Sequence, residues 1–310
     1  MHLLILLLSS FLPVQAIASN AAAGNYPLQH VSDGVYYHQG SHEEADNENL
    51  GAIANVGFIT GDECVAVIDS GGSFREGELL REAIRQQTDL PICYVINTHV
   101  HPDHILGNAA FKADNPEFIG HEKLPAAMAS RKQHFAKQFS EILGEAYQGT
   151  EFIEADNLVS IGKPLRIDLG NRPLLLTAYT TAHTDHDLTV YDVKTSTLWT
   201  GDLLFVERIP ALDGSINGWI DAINTLTELD AEMIIPGHGP AFDGQKSEAW
   251  QNLLRYLTTI REEIRFIIND MGTIEEAIAA VGTQEAEKWK LFEEYHRRNV
   301  TAAFVELEWE

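Results

Sequence analysis

Cysteine is scarce in this chain, with only Cys64 and Cys93 among 310 residues. One bridge is therefore the most that disulfide chemistry can supply. Neither thiol has an adjacent histidine or basic residue, so neither has the setting of a nucleophile. Basic residues are also few, 21 Lys and Arg against 46 Asp and Glu, a formal net charge of −25. A surface this acidic repels phosphate backbones and anionic lipid, so no nucleic-acid partner is expected. Long apolar runs are missing too, except at the very start, where L-L-I-L-L-L-S-S-F-L (3–12) is followed by A-I-A (16–18). That run is too short to span a bilayer, and it lacks the usual Lys or Arg ahead of it. It reads as a secretory signal peptide over 1–18, with a loose leader over 19–29. The expected location is periplasmic or secreted, with no membrane insertion after cleavage.

What remains is ample for a large core, since 45% of the residues are hydrophobic. Residues 30–70 alternate apolar and turn residues as strands do. Residues 75–87 carry helical spacing, with Leu79, Leu80, Ala83 and Ile84 on one face. P-I-C-Y-V-I-N (91–97) follows as an apolar strand, which predicts a parallel strand–helix–strand unit. Cys64 and Cys93 sit on strands of that unit. Export permits a bridge between them, parallel neighbours give it poor geometry, and two buried thiols are the other reading. Helices are predicted over 105–111, 123–143 and 217–229. Strands are predicted over 117–120, 165–169, 173–179, 188–193, 197–202 and 233–236, with mostly helix from 244 onward. Strand–turn–strand–Asp stretches at 57–69 and 188–202 hint at two similar halves packed face to face.

Against this frame T-H-V-H-P-D-H (98–104) stands out, crowding His99, His101, Asp103 and His104 at the end of an apolar strand. In an extended segment residues two apart point the same way, so His99 and His101 aim at one point. Pro102 ends the strand, and Asp103 and His104 aim at a second point nearby. Imidazoles and a carboxylate are the set that zinc or iron prefers. Further His and Asp residues follow predicted strand ends in T-A-H-T-D-H-D (181–187), T-G-D-L-L-F (200–205) and I-I-P-G-H-G-P (234–240). Open α/β architectures gather their sites at such ends.

H-x-H-x-D-H, then a lone His before Thr, then G-D, then P-G-H-G, in that order over residues 30–240, resembles the metallo-β-lactamase superfamily. The resemblance implies an α/β fold, a four-layer αβ/βα sandwich with a binuclear metal site at one edge. It implies a domain over 30–243, with the C-terminal helices of 244–310 packed on it as an extension. It implies His99, His101 and His183 as ligands of one ion, Asp103, His104 and His238 as ligands of a second, and Asp202 as the bridging carboxylate. His186 is the rival to His183, and the His–Thr spacing favours His183. Asp69, in V-I-D-S-G-G, matches a position that orients a ligand histidine from behind; capping a turn is its alternative role.

Two zinc ions held by these residues would supply a hydroxide and Lewis acidity, with Asp103 and Asp202 as the expected catalytic carboxylates. The expected activity is metal-dependent hydrolysis of a small-molecule ester, thioester, lactone or related substrate. Asp202 argues against a dedicated β-lactamase, and His101 argues against the flavodiiron branch, which has glutamate there. D-G-S-I-N-G-W (213–219) and the terminal R-N-V-T-A-A-F-V-E-L-E-W-E (298–310) resemble a narrower group, exported metallohydrolases associated with quinoprotein-dependent and sulfur-oxidation systems. The alternatives are a single-iron persulfide dioxygenase held by His99, His183 and Asp202, a β-lactamase, or a periplasmic accessory protein that binds metal or ligand without turnover. Phe74, Arg75, Phe205, Arg208 and Trp219 are the candidate substrate contacts, since aromatic walls plus an Arg suit a small organic anion.

Overall fold

Seven short strands, several of them buried on both faces, build the first half of the molecule. The structure, a computed structural model, describes residues 26–244 and 248–310. The signal-peptide reading (1–18) and most of the leader lie outside those residues. The leader's described end is packed rather than loose: Tyr26 donates to Glu76, and Leu28 joins the apolar cluster beneath the first helix.

The first sheet runs in the order β1 (Gln29–Ser32), β2 (Val35–His38), β3 (Val56–Thr60), β4 (Val65–Ile68), β5 (Ile92–Ile96), β6 (Glu117–His121), β7 (Asn157–Val159). It is antiparallel from β1 to β4 and parallel from β4 to β7. The parallel half needs crossovers, and α1 (Phe74–Gln87) supplies the first. Ser73 caps that helix by accepting from the Glu76 amide, and Leu80, Ala83 and Ile84 bury its apolar face. The predicted helix at 105–111 is instead a one-turn α2 (Pro102–Ile105) followed by a 3₁₀ segment over Asn108–Asp114. Gly107 between them touches the backbone of Ser70 and Gly77 so closely that an added Cβ would lie 2.0 Å from Ser70 O. α3 (Leu124–Leu143) follows β6.

The second sheet holds β8 (Leu165–Asp168), β9 (Pro173–Ala178), β10 (Leu188–Asp192), β11 (Thr197–Phe205), β12 (Met233–His238) and β13 (Phe242–Asp243), in the order 13-12-11-10-9-8. β11 and β12 are parallel, joined through α4 (Ile216–Leu226). The sheets face each other across a core that includes Ile68, Ile96 and Ile119 from the first and Leu174, Val190 and Trp199 from the second. Helix α1 covers the outer face of the first sheet. Helices α4, α5 (Glu248–Asn269), α6 (Ile274–Ala280) and α7 (Phe292–Leu307) share one apolar cluster over the second, around Trp219, Tyr256 and Ile260. The result is the expected α/β sandwich of four layers with added C-terminal helices.

Cys64 and Cys93 meet across the β4–β5 junction as free thiols, not as a bridge. Burial, with the Cys93 sulfur beside it, pushes the Cys64 thiol up to about 12.

Candidate metal centre

Both sheets end at one edge of the sandwich, and the ligand-type side chains meet there. β5 stops at Ile96, so His99 and His101 sit in the loop beyond it rather than on alternating strand positions. The same loop turns into α2, with Pro102 as the first helical residue, and the turn carries Asp103 and His104. His183 lies on the loop between β9 and β10. Asp202 lies inside β11 and His238 ends β12, since both strands run further than the sequence pattern predicts. Glycines make room for this: Gly201 adopts φ +51° against Thr98, and a Cβ on Gly237 would lie 1.9 Å from Asp202 Oδ1.

Two sets of donor atoms converge, each within 4.8 Å: His99, His101, His183 and Asp202 in one, Asp103, His104 and His238 in the other. Nε2 of His99 and Nε2 of His183 each lie 3.0 Å from Nδ1 of His101. Oδ2 of Asp202 is 3.7 Å from the His99 nitrogen and 3.5 Å from that of His183. In the second set, His238 Nε2 is 3.4 Å from Asp103 and 3.3 Å from Asp202. His104 Nε2 lies 3.1 Å from Asp202 Oδ1. Asp202 thus faces both sets.

The outward nitrogen of every ring decides what the inward one presents. His183 Nδ1 faces Ala211 O at 2.6 Å, and His238 Nδ1 faces Ile53 O at 2.7 Å. His104 Nδ1 faces Asp69 Oδ2 at 2.7 Å, and His101 Nε2 faces Asp213 Oδ2 at 3.1 Å. His99 Nδ1 faces the Thr98 hydroxyl, which itself donates to Asp69. All five partners accept, so all five rings donate outward, and a ring that carries one proton turns its lone pair inward. The lone pairs of His99 and His183, each 3.0 Å from that of His101, repel it unless a cation lies between them. His104 Nε2 and Asp202 Oδ1 are buried without a hydrogen-bond partner, because their 3.1 Å approach lacks hydrogen-bond geometry. Two converging imidazole–carboxylate sets with orphaned inward atoms fit divalent metal ions.

In the first set the local charges agree. Burial drives the His183 ring down to about 3 and the His99 ring well below its ordinary value, so both are neutral ligands. Burial works against charge on His104 as well, but Asp202, Asp69 and Asp103 around it hold its pKa well above the ordinary value. Burial opposes ionisation of Asp202, yet His238, His104 and His99 pull its carboxyl well below the usual range. Asp103 is likewise lowered, burial being overcome by His104 and His238.

Asp69 holds a left-handed backbone at φ 54° and also accepts from the Thr98 amide, so it braces the loop and the His104 ring together. His186 does not join either set; it is buried, with Nδ1 on the Thr184 hydroxyl. His121 accepts from the Lys123 amide and faces Tyr179 O. A cleft of about 350 Å³ opens over the two sets, and of the five candidate contacts Phe205 and Arg208 line it. The other three expected contacts lie elsewhere. Trp219 is fully buried behind His183, donating to Leu203 O, because the apolar layer under α4 claims it. Phe74 and Arg75 open α1, where Phe74 packs into the cluster outside the first sheet and Arg75 pairs with Glu78.

Sequence reasoning missed Asp213, Arg131, Tyr295, Arg298 and Glu44, all of which line the cleft. Asp213 opens the D-G-S-I-N-G-W stretch, so a signal for it was present.

The family model described as metallo-beta-lactamase superfamily matches residues 51–238, a span that contains all seven ligand-type residues. Among solved structures, a metallo-beta-lactamase from Pontibacter korlensis is similar at 19% identity and TM-score 0.59, over 75% of this chain and 98% of that one. The DIM-1 metallo-beta-lactamase is similar at 16% identity and TM-score 0.58, over 75% and 96%. A double mutant of the sec-alkyl sulfatase PisA1 is similar at 17% identity and TM-score 0.66, over 89% of this chain but only 49% of its own. At these identities the likeness is one of fold.

Proposed function

The chain belongs to the metallo-beta-lactamase superfamily, and from that premise we propose that it is an exported, binuclear zinc hydrolase of a small ester, thioester, lactone or related substrate. The observation that carries this reading is the pair of donor sets sharing Asp202, each with its rings turned inward by outward acceptors. Divalent ions in such a set supply Lewis acidity and a water acidic enough to attack at neutral pH. The protein's own residues do the rest. His99, His101 and His183 on one side, and His104 and His238 on the other, hold ring nitrogens at fixed positions. Asp202 joins the two sides as a buried carboxylate. Asp103 borders the cleft, with a side chain 15% exposed, and is placed to accept a proton from the attacking water and return it to the leaving group. The cleft's size suits a small organic molecule.

The complete second set, Asp103, His104 and His238, supports two ions over a single iron. Asp202 in a bridging position argues against a dedicated β-lactamase, and the fold alone does not choose the substrate. The apolar run at 3–12 and the A-I-A at 16–18 support export to the periplasm or beyond. Elemental analysis of untagged exported protein, followed by a panel of ester, thioester and lactone substrates, tests the reading. Two zinc ions per chain with turnover on the panel is the expected result. One iron per chain with oxygen uptake on a thiol persulfide would replace the hydrolase with a dioxygenase.

A further inference from the structure

Helix α7 lies beyond the family-matched residues, yet it forms one wall of the cleft through Tyr295, Arg298 and Asn299. Opposite them stands Arg208, which is 3% exposed. Its Nη1 lies 3.4 Å from His238 Nδ1, but that nitrogen donates to Ile53 O and has no lone pair to offer. Its Nη2 donates to the Tyr295 hydroxyl at 3.0 Å. Among the described residues its one ion pair is with exposed Glu44 at 3.9 Å, beyond a hydrogen bond. A buried guanidinium with five donors and so little acceptance is costly unless an anion completes it. The same Tyr295 ring lies 5.3 Å from the Arg208 guanidinium and 5.9 Å from that of Arg298. Arg298 is exposed to the cleft and forms no ion pair among the described residues. The other charges facing the cleft are already engaged: Asp213 holds His101 and Arg131, and Asp103 and Asp202 belong to the donor sets.

The third wall, from α3, carries an apolar stripe beside Arg131, His134 and Gln138. Phe135, Phe139 and Ile142 line the cleft from α3 at helical spacing, each only partly buried. In a chain of net charge −25 two arginines that share a single long ion pair, beside an apolar stripe, are a selective arrangement, since the surface as a whole repels anions.

We propose that Arg208, Tyr295 and Arg298 form a subsite for the anionic group of the substrate, which is an amphipathic organic monoanion. Its carboxylate, sulfonate or sulfate group sits between the two guanidiniums, and its apolar portion lies along Phe135, Phe139 and Ile142. The reacting bond then reaches the metal centre from the same cleft, so this inference rests on the hydrolase reading for its catalytic consequence. Glu44 competes with the substrate for Arg208.

Calorimetry of the zinc-loaded full chain with 1-hexanesulfonate, an anion that cannot be hydrolysed, tests the subsite without turnover. Saturable binding is expected, at least fivefold weaker in Arg298→Gln and Phe139→Ala and tighter in Glu44→Gln, with zinc content unchanged in each. Arg298 is exposed, so its variant leaves the fold intact. Absence of binding, or equal binding in wild type and Arg298→Gln, overturns the proposal. Kinetics with mono(4-nitrophenyl) glutarate and the neutral 4-nitrophenyl pentanoate then reads selectivity. The anionic ester should show at least a tenfold lower KM, and Arg298→Gln should erase that preference while kcat stays similar; equal KM values in the wild type overturn the proposal. If neither ester turns over, the hydrolase reading fails on these bonds while the calorimetry still decides the subsite.

Discussion

Asp213 and His101 are separated by 112 positions in the chain, yet Oδ2 of Asp213 lies 3.1 Å from Nε2 of His101. Because that contact fixes the outward nitrogen, His101 presents Nδ1 to the metal centre while the other four rings present Nε2. Arg131 from α3 holds the same carboxylate oxygen at 3.1 Å. Against the effect of its own burial, His101 and Arg131 hold the Asp213 carboxyl far below the usual carboxylate range, so it is charged at any working pH. Asp213→Ala should therefore lower zinc affinity by about 10–100-fold while leaving all ligands in place. Competition with a zinc-chelating dye measures this; unchanged affinity would show that Asp213 has no orienting role.

His101→Ala removes the nitrogen on which His99 and His183 converge. The variant should fold, bind less than the wild-type amount of metal and lose hydrolysis. Retention of both full metal content and activity in elemental analysis and substrate assays would refute the assignment.

Asp69 accepts from the Thr98 amide, the Thr98 hydroxyl and the His104 ring, all buried. Asp69→Ala leaves these donors unsatisfied, at a cost of about 1–3 kcal/mol in stability. It should also weaken zinc binding through His104. Urea unfolding of metal-free protein separates the first effect from the second.

Burial pushes the Glu76 carboxyl from its ordinary 4.5 up to about 8, although the Tyr26 hydroxyl and the Gly72 amide donate to it. Between those two values the folded chain keeps a proton that the unfolded chain has lost. Its contribution to stability is thus fully present below about pH 4.5 and is lost as pH rises through about 8. The denaturation midpoint should fall less steeply from pH 5 to pH 8 in Glu76→Gln, whose amide never ionises. Parallel pH profiles for the two proteins would sink this account.

Glu306 near the end of α7 accepts from the Ser215 hydroxyl and from the amides of Ile216 and Asn217, the first residues of α4. A carboxylate at a helix N-terminus is favourable both as acceptor and against the helix dipole. Glu306→Ala should cost about 1–3 kcal/mol. Because Asp213 sits two residues before Ser215, the same variant should also raise the rate of zinc release, readable by chelator chase.

The ligand residues were legible along the chain because metals demand particular donor types and the donors gather where strands end. His99, His101, Asp103 and His104 come from one turn, His183 from another loop, and Asp202 and His238 from β11 and β12, all in recognisable settings. The four-layer plan came from the resemblance to the metallo-β-lactamase superfamily; the apolar strands and helical spacing by themselves gave a parallel strand–helix–strand unit and a hint of two similar halves. Local errors fell where no periodic signal exists. Pro102 with a close-packed Gly107 breaks the stretch expected as a helix at 105–111, and the parallel pairing of β11 with β12 carries both strands past their apparent ends. Trp219 shows the limit for side-chain roles, since an aromatic beside a site motif reads alike whether it lines a cleft or backs a ligand ring. Asp213 on His101, Arg131 on Asp213, and Tyr295 on Arg208 are contacts between segments 112, 82 and 87 residues apart. No spacing along the chain encodes them. They exist because the sheets pack, α3 and α7 are laid over the shared edge, and charges there must find partners at hydrogen-bond distance.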